Sequence, residues 1–397
     1  MLKQSAFFEF LNRRTELTFD AFMQCSVEDV DYINWNEFAL PNDYGNAEDE
    51  YTAIRNSCAI FDVSPIRKIR VAGAGAGKLF DHALTRPVSG LDSMRATYTV
   101  LCNDDGSLKD DAILYKFAAD DYLLMPSDID HSPYLESLRK ALEIDDVAFS
   151  ECTDDWVGLA IQGPKSAAVL NQMDFNGVED IRPFQVRDYS FGGGTLYVSR
   201  MGFTADLGYE LWCSPSLADA VKQRIEAARS NLNIAVPGYG LDALQACRLE
   251  GGFIVAGWDC STELDPIPGF DRSPYELGLG WLVNLEAVPF VGRDALQIQK
   301  DNGSPFTLRS LELNSSDTPE DGVALFLEAE GDAVAGVVNC SSWSWGLNKV
   351  IGNASIESRH ACIETAWLEL GGTRLKVTLS KGPLVKLERR NQYPAPL

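Results

Sequence analysis

Two adjacent aspartates in the first half of the chain, Asp110 and Asp111, are the first residues whose type and spacing could do chemistry. Side chains alternate between the two faces of a β-strand, so Asp111 and Tyr115 would share one face while Asp110 points to the other. Tyr98, on the preceding apolar run, would lie close to them. Tyrosine rings pack against a flat heteroaromatic ligand, and a carboxylate accepts its N–H groups. The same pattern also fits an acidic hairpin end that meets only solvent.

A second candidate carboxylate, Glu210, lies in the segment SRMGFTADLGYELW, where Gly202 and Gly208 bracket a loop. The residues after Gly208 read as a strand, on which Glu210 and Trp212 share a face. A carboxylate buried in a strand destabilises the fold unless it finds hydrogen-bond donors. A pair of ligand N–H groups would supply them, and an internal arginine such as Arg248 would be the purely structural solution.

The elements that must position these residues follow from the apolar pattern. Tyr98–Cys102 and Ala112–Lys116 read as strands joined through Asn103–Gly106 (NDDG), which is a strong turn signal. Val157–Gln162 reads as a buried strand, and Leu241–Glu250 reads as a helix. Both candidate carboxylates are therefore expected on strands, which hold a side chain more firmly than a loop does.

The order of the elements predicts the fold class. Strands and helices follow one another over the first three quarters without the regular βαβ rhythm of a doubly wound sheet, which favours an α+β fold. The polar stretch Asp301–Pro305 reads as a linker, and the short strands and turns after it predict an all-β module. We therefore expect a first region over residues 1–297 and a C-terminal domain over residues 306–397.

Composition excludes several classes of partner. The 397-residue chain carries a formal net charge of −24, so it would repel nucleic-acid phosphates and anionic membrane surfaces. Its nine cysteines are scattered without a CxxC pair, which indicates free thiols in a reducing compartment rather than a zinc site or disulfides. Charges break the N-terminal apolar run and no apolar stretch is long enough for a membrane span, so we expect a cytoplasmic protein.

Signals for a metal or a nucleotide cofactor are weak. The three histidines, His82, His131 and His360, are far apart and lack metal-ligand spacing. Gly73–Lys78 resembles a phosphate-binding loop, but Leu79 follows the lysine where Ser or Thr is needed. We expect no stoichiometric metal, flavin or nicotinamide.

At this point a family resemblance becomes specific. The chain resembles the glycine-cleavage T-protein (aminomethyltransferase) family of tetrahydrofolate-dependent one-carbon transferases. The matching segments follow one another in the family's order along most of the chain, and they are RNSCAIFDVS at Arg55–Ser64, YTVLCNDDGSLKDDAILYK at Tyr98–Lys116, IQGPKS at Ile161–Ser166, SRMGFTADLGYEL at Ser199–Leu211, CRLEGG at Cys247–Gly252, and SPYELGLGWLV with FVGRDAL within Ser273–Leu296.

The resemblance implies a fold and a site. It implies two interwoven α+β domains and a C-terminal β-barrel, arranged around a central folate channel. Asp111 matches the second aspartate of the family's DD motif, the catalytic carboxylate near folate N5, and Glu210 matches the glutamate that holds the amidine-like edge of the pterin. The remaining folate-binding positions that the resemblance implies are the aromatic Tyr98, Tyr115, Phe203 and Phe253, together with Ile66 and Ser127.

The chain departs from the glycine-cleavage enzymes mainly at the substrate end. Ala205, Asp206 and Leu207 differ within the folate loop, and Leu244-Gln245 replaces the Arg-Asp pair whose arginine helps to hold the folate tail. The family motif SHM is Ser-Pro-Ile at Ser64–Ile66, and an asparagine of the family has become Ser127. The segment Asp259–Pro274 is longer than its counterpart in the family.

These departures keep the pterin end and change the donor end, which is typical of the family's demethylase branches. We therefore expect a tetrahydrofolate-dependent methyltransferase that moves a one-carbon group from a small N-, S- or O-methylated metabolite to N5 of tetrahydrofolate. The alternative is a glycine-cleavage aminomethyltransferase that acts on a lipoyl carrier protein. A non-catalytic folate-binding accessory protein is a third hypothesis, which the absence of a KGC-x-x-GQE motif disfavours.

Overall fold

The computed structural model describes residues 2–25 and 30–394. Residue 1, residues 26–29 and residues 395–397 belong to the two predicted regions and lie outside the described residues. The α+β class and the C-terminal barrel are confirmed, whereas the division into residues 1–297 and 306–397 stays a prediction. None of the described helices has the length and apolar character that crossing a membrane requires.

The α-helices of the described chain all precede the barrel. In chain order they are α1 Phe8–Leu11, α2 Phe19–Gln24, α3 Ala47–Asn56, α4 Ala76–Ala83, α5 Ser132–Ala141, α6 Ser166–Gln172, α7 Ala218–Leu232, α8 Leu241–Glu250 and α9 Arg293–Asn302.

The β-strands form a hairpin, two open sheets and a barrel. In chain order they are β1 Tyr32–Trp35, β2 Phe38–Pro41, β3 Ala59–Asp62, β4 Ile69–Ala72, β5 Arg95–Cys102, β6 Leu108–Ala118, β7 Asp121–Pro126, β8 Ala148–Glu151, β9 Val157–Gln162, β10 Val186–Phe191, β11 Gly194–Ser199, β12 Gly208–Cys213, β13 Phe306–Leu313, β14 Ala324–Phe326, β15 Val334–Ser344, β16 Lys349–Glu357, β17 Thr365–Leu370 and β18 Thr373–Ser380.

The two open sheets share one hydrophobic core. One sheet has the strand order β5-β6-β7-β4-β8, and the other has the order β10-β11-β12-β9-β3. Tyr115 on β6 and Met125 on β7 pack in the same cluster as Phe61 on β3 and Trp212 on β12. The facing sides of β6 and β12 are therefore held close together, and these strands carry the two candidate carboxylates.

The C-terminal strands close into a barrel of order β13-β16-β15-β14-β17-β18. Its inner side chains form their own core. The barrel also touches the rest of the molecule, because Leu249 at the end of α8 packs with Cys340 on β15 and Ile351 on β16. The contact fixes the barrel against the helix that follows the two sheets.

The predicted turn between β5 and β6 is present and needs its glycine. Gly106 has φ +81°, a conformation that side-chain-bearing residues seldom adopt. Its N–H donates to the carbonyl of Asn103, and the N–H of Asn103 donates to Ser107. This turn fixes the strand register in which Val100 pairs with Asp111 and Ala96 pairs with Tyr115.

The loop Gly202–Gly208 is held by one side chain from β9. Gln162 donates to the carbonyl of Met201 at 3.2 Å and accepts from the Thr204 hydroxyl at 2.8 Å. A Cβ on Gly202 or on Gly208 would overlap the Gln162 amide. The two glycines therefore let the loop close around Gln162, which sets where β12 begins.

The chain after the barrel returns to this loop. Arg389 binds the carboxylate of Asp206 through two nitrogens, at 2.6 and 2.7 Å. Arg55 in α3 donates to the same carboxylate at 3.1 Å and to Glu250 at 2.7 Å. Asp206, one of the departures from the family in the loop, thus ties the C-terminal segment to the two sheets.

We expect Asp206→Ala to destabilise the fold, because it leaves Arg55 and Arg389 without the carboxylate that they share. Removing one partner of a buried ion pair costs about 3 kcal/mol in the free energy of unfolding. The measurement is the urea-unfolding midpoint, with Asp188→Ala on the exposed face of β10 as the control. Equal midpoints for the two variants would show that the ion pair does not hold the C-terminal segment.

Candidate functional site

Glu210 lies on β12 with its carboxylate directed at neighbouring aromatic side chains. The Tyr115 hydroxyl and the Trp212 indole N–H both donate to Glu210 Oε2, each at 3.2 Å. The indole N–H also donates to the Tyr115 hydroxyl at 3.0 Å, and Ser199 bonds that hydroxyl at 3.0 Å. The predicted common face of Glu210 and Trp212 is therefore present.

No cation of the described chain neutralises Glu210 within ion-pair distance. Arg248, the arginine that could have been its structural partner, binds Asp259 at 2.6 Å. Burial raises the pKa of Glu210 from 4.5 to about 7, although the donors Trp212 and Tyr115 oppose the rise. The cost of burying this carboxylate is thus only partly offset by its neighbours.

Asp111 lies on β6, and its carboxylate accepts a hydrogen bond from the Tyr98 hydroxyl at 2.9 Å. The backbone N–H of Ala256, in the segment after α8, also favours the charged form of this carboxylate. Burial and the neighbouring charge of Asp110 outweigh both donors and raise the pKa of Asp111 to about 7. Its side chain remains half-buried and open to a ligand.

Asp110 points to the opposite side of β6, as the alternation predicted. Its Oδ2 lies 2.8 Å from His131 Nε2, and the two side chains are 2% and 1% exposed. Its Oδ1 accepts the backbone N–H of Asp111 at 2.9 Å. No pattern in the sequence connects His131 with Asp110, because the two are separated by β7 and its following turn.

Two carboxylates therefore lie along one face of β6, Asp111 on the strand itself and Glu210 reaching Tyr115 from β12. Asp111 and Tyr115 are four residues apart, which is about 13 Å along a strand. Tyr98 stands beside Asp111, and Glu210 approaches Tyr115 from the facing sheet. Such a face can hold a flat aromatic ligand with N–H donors at one end and a centre that gains positive charge at the other.

The two predicted phenylalanines pack against each other. The rings of Phe203, in the loop, and Phe253, after α8, lie 5.4 Å apart between centroids. The Arg390 guanidinium lies 4.6 Å from the centre of the Phe253 ring. Burial lowers the pKa of Arg390, and no carboxylate of the described chain pairs with it.

Ile66 and Ser127 are placed at the edge of this arrangement. Ile66 packs against the shared core that contains Tyr115 and Trp212. Ser127 follows β7, one residue beyond the strand pair of Ala112 and Pro126. Its hydroxyl accepts the indole N–H of Trp35 at 3.2 Å and donates to Asp128 at 3.1 Å, so both of its hydrogen-bonding roles are used internally.

Sequence reasoning missed two residues here, Arg390 and His131. Arg390 lies more than a hundred residues beyond Phe253, in a segment with no motif, and its only signal was the Arg389-Arg390 pair near the C-terminus. His131 was considered only as a metal ligand. A search for acidic partners of each histidine would still have needed the fold to choose Asp110.

Comparison with known proteins identifies the family. Residues 25–287 match the family described as GCVT N-terminal domain. The aminomethyltransferase of Lysinibacillus sphaericus is 30% identical over 382 residues, covering 94% of this chain and 98% of that protein. The aminomethyltransferase of Halothermothrix orenii is also 30% identical, over 81% of this chain and 86% of its own length.

The chain belongs to the GCVT family. It is therefore an enzyme, a transferase of the tetrahydrofolate-dependent one-carbon class, and the resemblance seen in the sequence is confirmed. The fold agrees with the crystal structure of glycine cleavage system aminomethyltransferase T from Bartonella henselae, with a TM-score of 0.81, 20% identity and complete coverage of both chains.

The raised pKa of Glu210 predicts how stability depends on pH. The folded protein keeps the Glu210 proton up to about pH 7, while an unfolded glutamate releases it near pH 4.5, so stability falls as the pH rises through this window. Glu210→Gln removes the titrating group. The free energy of unfolding of the variant, relative to that of wild type, should therefore be about 3 kcal/mol higher at pH 8 than at pH 4. Urea unfolding at both pH values measures this, and a difference between the two proteins that does not change with pH would contradict it.

Proposed function

We propose that this enzyme transfers the methylene carbon of an aminomethyl group from the sulfur of a lipoyl carrier protein to N5 and N10 of tetrahydrofolate, with release of ammonia and of the free carrier thiol. The proposal that folate binds here rests on Glu210, a half-buried carboxylate whose hydrogen-bond partners in the described chain are two neutral donors. The aminomethyl part is supported by the relatives, which are named aminomethyltransferases and match nearly the whole chain. This choice reverses the preference for a methyl donor that the sequence alone favoured.

Glu210 is proposed to bind the pterin edge that presents two parallel N–H groups. Its Oε2 already accepts from Tyr115 and Trp212, whereas Oε1 accepts no hydrogen bond from the described chain. A bidentate pair of ligand N–H donors would offset the cost of holding this carboxylate charge in a low-dielectric environment. Tyr98 would then pack along the ring system, whereas Tyr115, whose side chain is 1% exposed, would act by holding the Glu210 carboxylate.

Asp111 is the proposed catalytic residue. N5 gains positive charge while it receives the one-carbon group, and a preorganised carboxylate stabilises that charge. The hydrogen bond from the Tyr98 hydroxyl holds the Asp111 carboxylate in place. Since the pKa of Asp111 is about 7, the group is ionised above neutral pH, and transfer should slow as the pH falls below this value.

Arg390 is proposed to hold the carboxylate tail of the folate. The arginine that serves this purpose in the family is replaced by Leu244-Gln245. Arg390 offers a guanidinium without an acidic partner in the described chain, and it lies against the Phe253 ring. A tail carboxylate would give this cation the counter-charge that it lacks.

Transfer of a methyl group from a small methylated metabolite is the second candidate. It is favoured by the segment after α8, where the longer loop begins. Ala256 faces Asp111, and Cys260 lies close enough for the charge of Asp111 to raise its pKa. The proposed catalytic carboxylate therefore lies beside Cys260, which belongs to the segment that is longer than its counterpart in the family.

The two candidates are separated by supplying each donor with tetrahydrofolate. We expect an aminomethylated lipoyl carrier to lose its aminomethyl group with release of ammonia. A panel of sulfonium, ammonium and aryl-ether donors should give no 5-methyltetrahydrofolate. Methyl transfer from a member of the panel, with an inert carrier, would reverse the assignment, and inactivity with both would contradict the proposed transfer.

We expect Asp111→Asn to separate catalysis from binding. The amide has nearly the same shape but no charge, so tetrahydrofolate affinity should stay within a few-fold of wild type while the single-turnover transfer rate falls about 10²–10³-fold. The control is Asp104→Asn, an exposed aspartate in the turn of the same hairpin. An equal fall in the transfer rate of both variants, or no fall in Asp111→Asn, would show that Asp111 is not the catalytic residue.

We expect Arg390→Gln to weaken only the part of binding that depends on the folate tail. The dissociation constant of tetrahydrofolate should rise about 10-fold, whereas that of a tetrahydropterin without the tail should not change, because a charge-assisted contact contributes about 1.5–3 kcal/mol. Arg390→Lys should restore part of the loss. Equal weakening of both ligands would mean that Arg390 supports the loop rather than the tail.

A further inference from the structure

The buried pair of His131 and Asp110 stands directly behind the proposed catalytic residue. The two side chains are 2.8 Å apart and almost completely excluded from solvent. Asp110 also accepts the backbone N–H of Asp111, so the pair is joined to the strand at the residue that carries the catalytic carboxylate. No step of the proposed transfer uses either residue.

Two carboxylates on neighbouring residues of one buried strand cannot both ionise freely. Each charge disfavours the other, and a close pair without a counter-charge keeps one proton near neutral pH. Burial and the charge of Asp110 raise the pKa of Asp111, and burial also raises the pKa of Asp110, a rise that His131 opposes. A cation beside Asp110 would therefore decide whether Asp111 can be charged.

We propose that His131 is a positioning residue: as an imidazolium paired with Asp110, it cancels the charge of that carboxylate and leaves Asp111 as the ionised acid of the site. This inference rests on the proposed role of Asp111 in the transfer. It concerns a histidine whose side chain is too buried to meet the substrate, so it acts only through Asp110.

The nearest charged group to His131 is a carboxylate. Asp110 contacts the imidazole directly, and Asp128 and Asp130 lie on the turn that precedes α5. Four other titratable or charged groups face His131, the aspartates or their immediate neighbours. They are Tyr98 on β5, Tyr134 on α5, Cys260 after α8 and Arg67 before β4.

The test follows the titration of Asp111 in the free protein by ¹³C NMR of aspartate labelled at the γ-carboxyl carbon. The Asp111 and Asp110 signals are assigned by their loss in Asp111→Asn and Asp110→Asn. We expect His131→Gln, which keeps a hydrogen-bond donor but cannot be charged, to raise the Asp111 titration midpoint by about one pH unit. The acid limb of the transfer rate should move by the same amount.

The decisive variant combines His131→Gln with Asp110→Asn. Both members of the pair are then neutral, so the Asp111 midpoint should return to within a few tenths of a unit of wild type. If His131 only packs the turn, the Asp111 midpoint of the double variant should move further from the wild-type value instead of returning to it. The matched control is His360→Gln in the turn after β16, which should leave the midpoint unchanged.

Asp110→Asn alone gives a second test should His131→Gln fail to fold. Its amide oxygen can still accept the N–H of Asp111, and its charge is gone. We expect the Asp111 midpoint to stay at or below the wild-type value, and a rise would overturn the proposal. Because the titration needs no ligand, failure to bind tetrahydrofolate would overturn the proposed function without changing this result.

Discussion

The burial of Glu210 beside two neutral donors is the interaction on which the rest of the site depends. A carboxylate in this position can be tolerated only if strong donors surround it, and Tyr115 and Trp212 supply two of them from different sheets. The contact therefore couples β6 to β12 across the shared core. It also leaves the second carboxylate oxygen without a hydrogen bond from the described chain, and the proposed pterin site rests on that free oxygen.

The segment after the barrel completes this arrangement from a distance. Asp206 holds Arg389, and the neighbouring Arg390 then lies over Phe253. Asp206, which differs from the family residue in this loop, thus anchors the segment that places the Arg390 guanidinium against Phe253. The proposed role of Arg390 in binding the folate tail depends on this anchor.

Strand patterns and turn signals in the sequence were sufficient to predict the β5–β6 hairpin and the facing of Asp111 and Tyr115, but not the strand register. The α+β class and the all-β C-terminal module followed from the order of the elements, and the family resemblance supplied the barrel and the folate site. Arg390 and the pairing of His131 with Asp110 could not be predicted, because each depends on contacts between segments far apart in sequence. Local periodicity contains no information about such contacts. The domain boundary and the roles of all the predicted site residues remain predictions.

The central claim is that Glu210 binds the pterin because the fold leaves this carboxylate without a cation. Its most direct test is the dissociation constant of tetrahydrofolate for wild type and Glu210→Ala, measured by titration calorimetry with Glu330→Ala on an exposed loop as the control. Loss of a charge-assisted bidentate contact should weaken binding by about 2–4 kcal/mol, while the control binds like wild type. The same dissociation constant for wild type and Glu210→Ala would contradict the account.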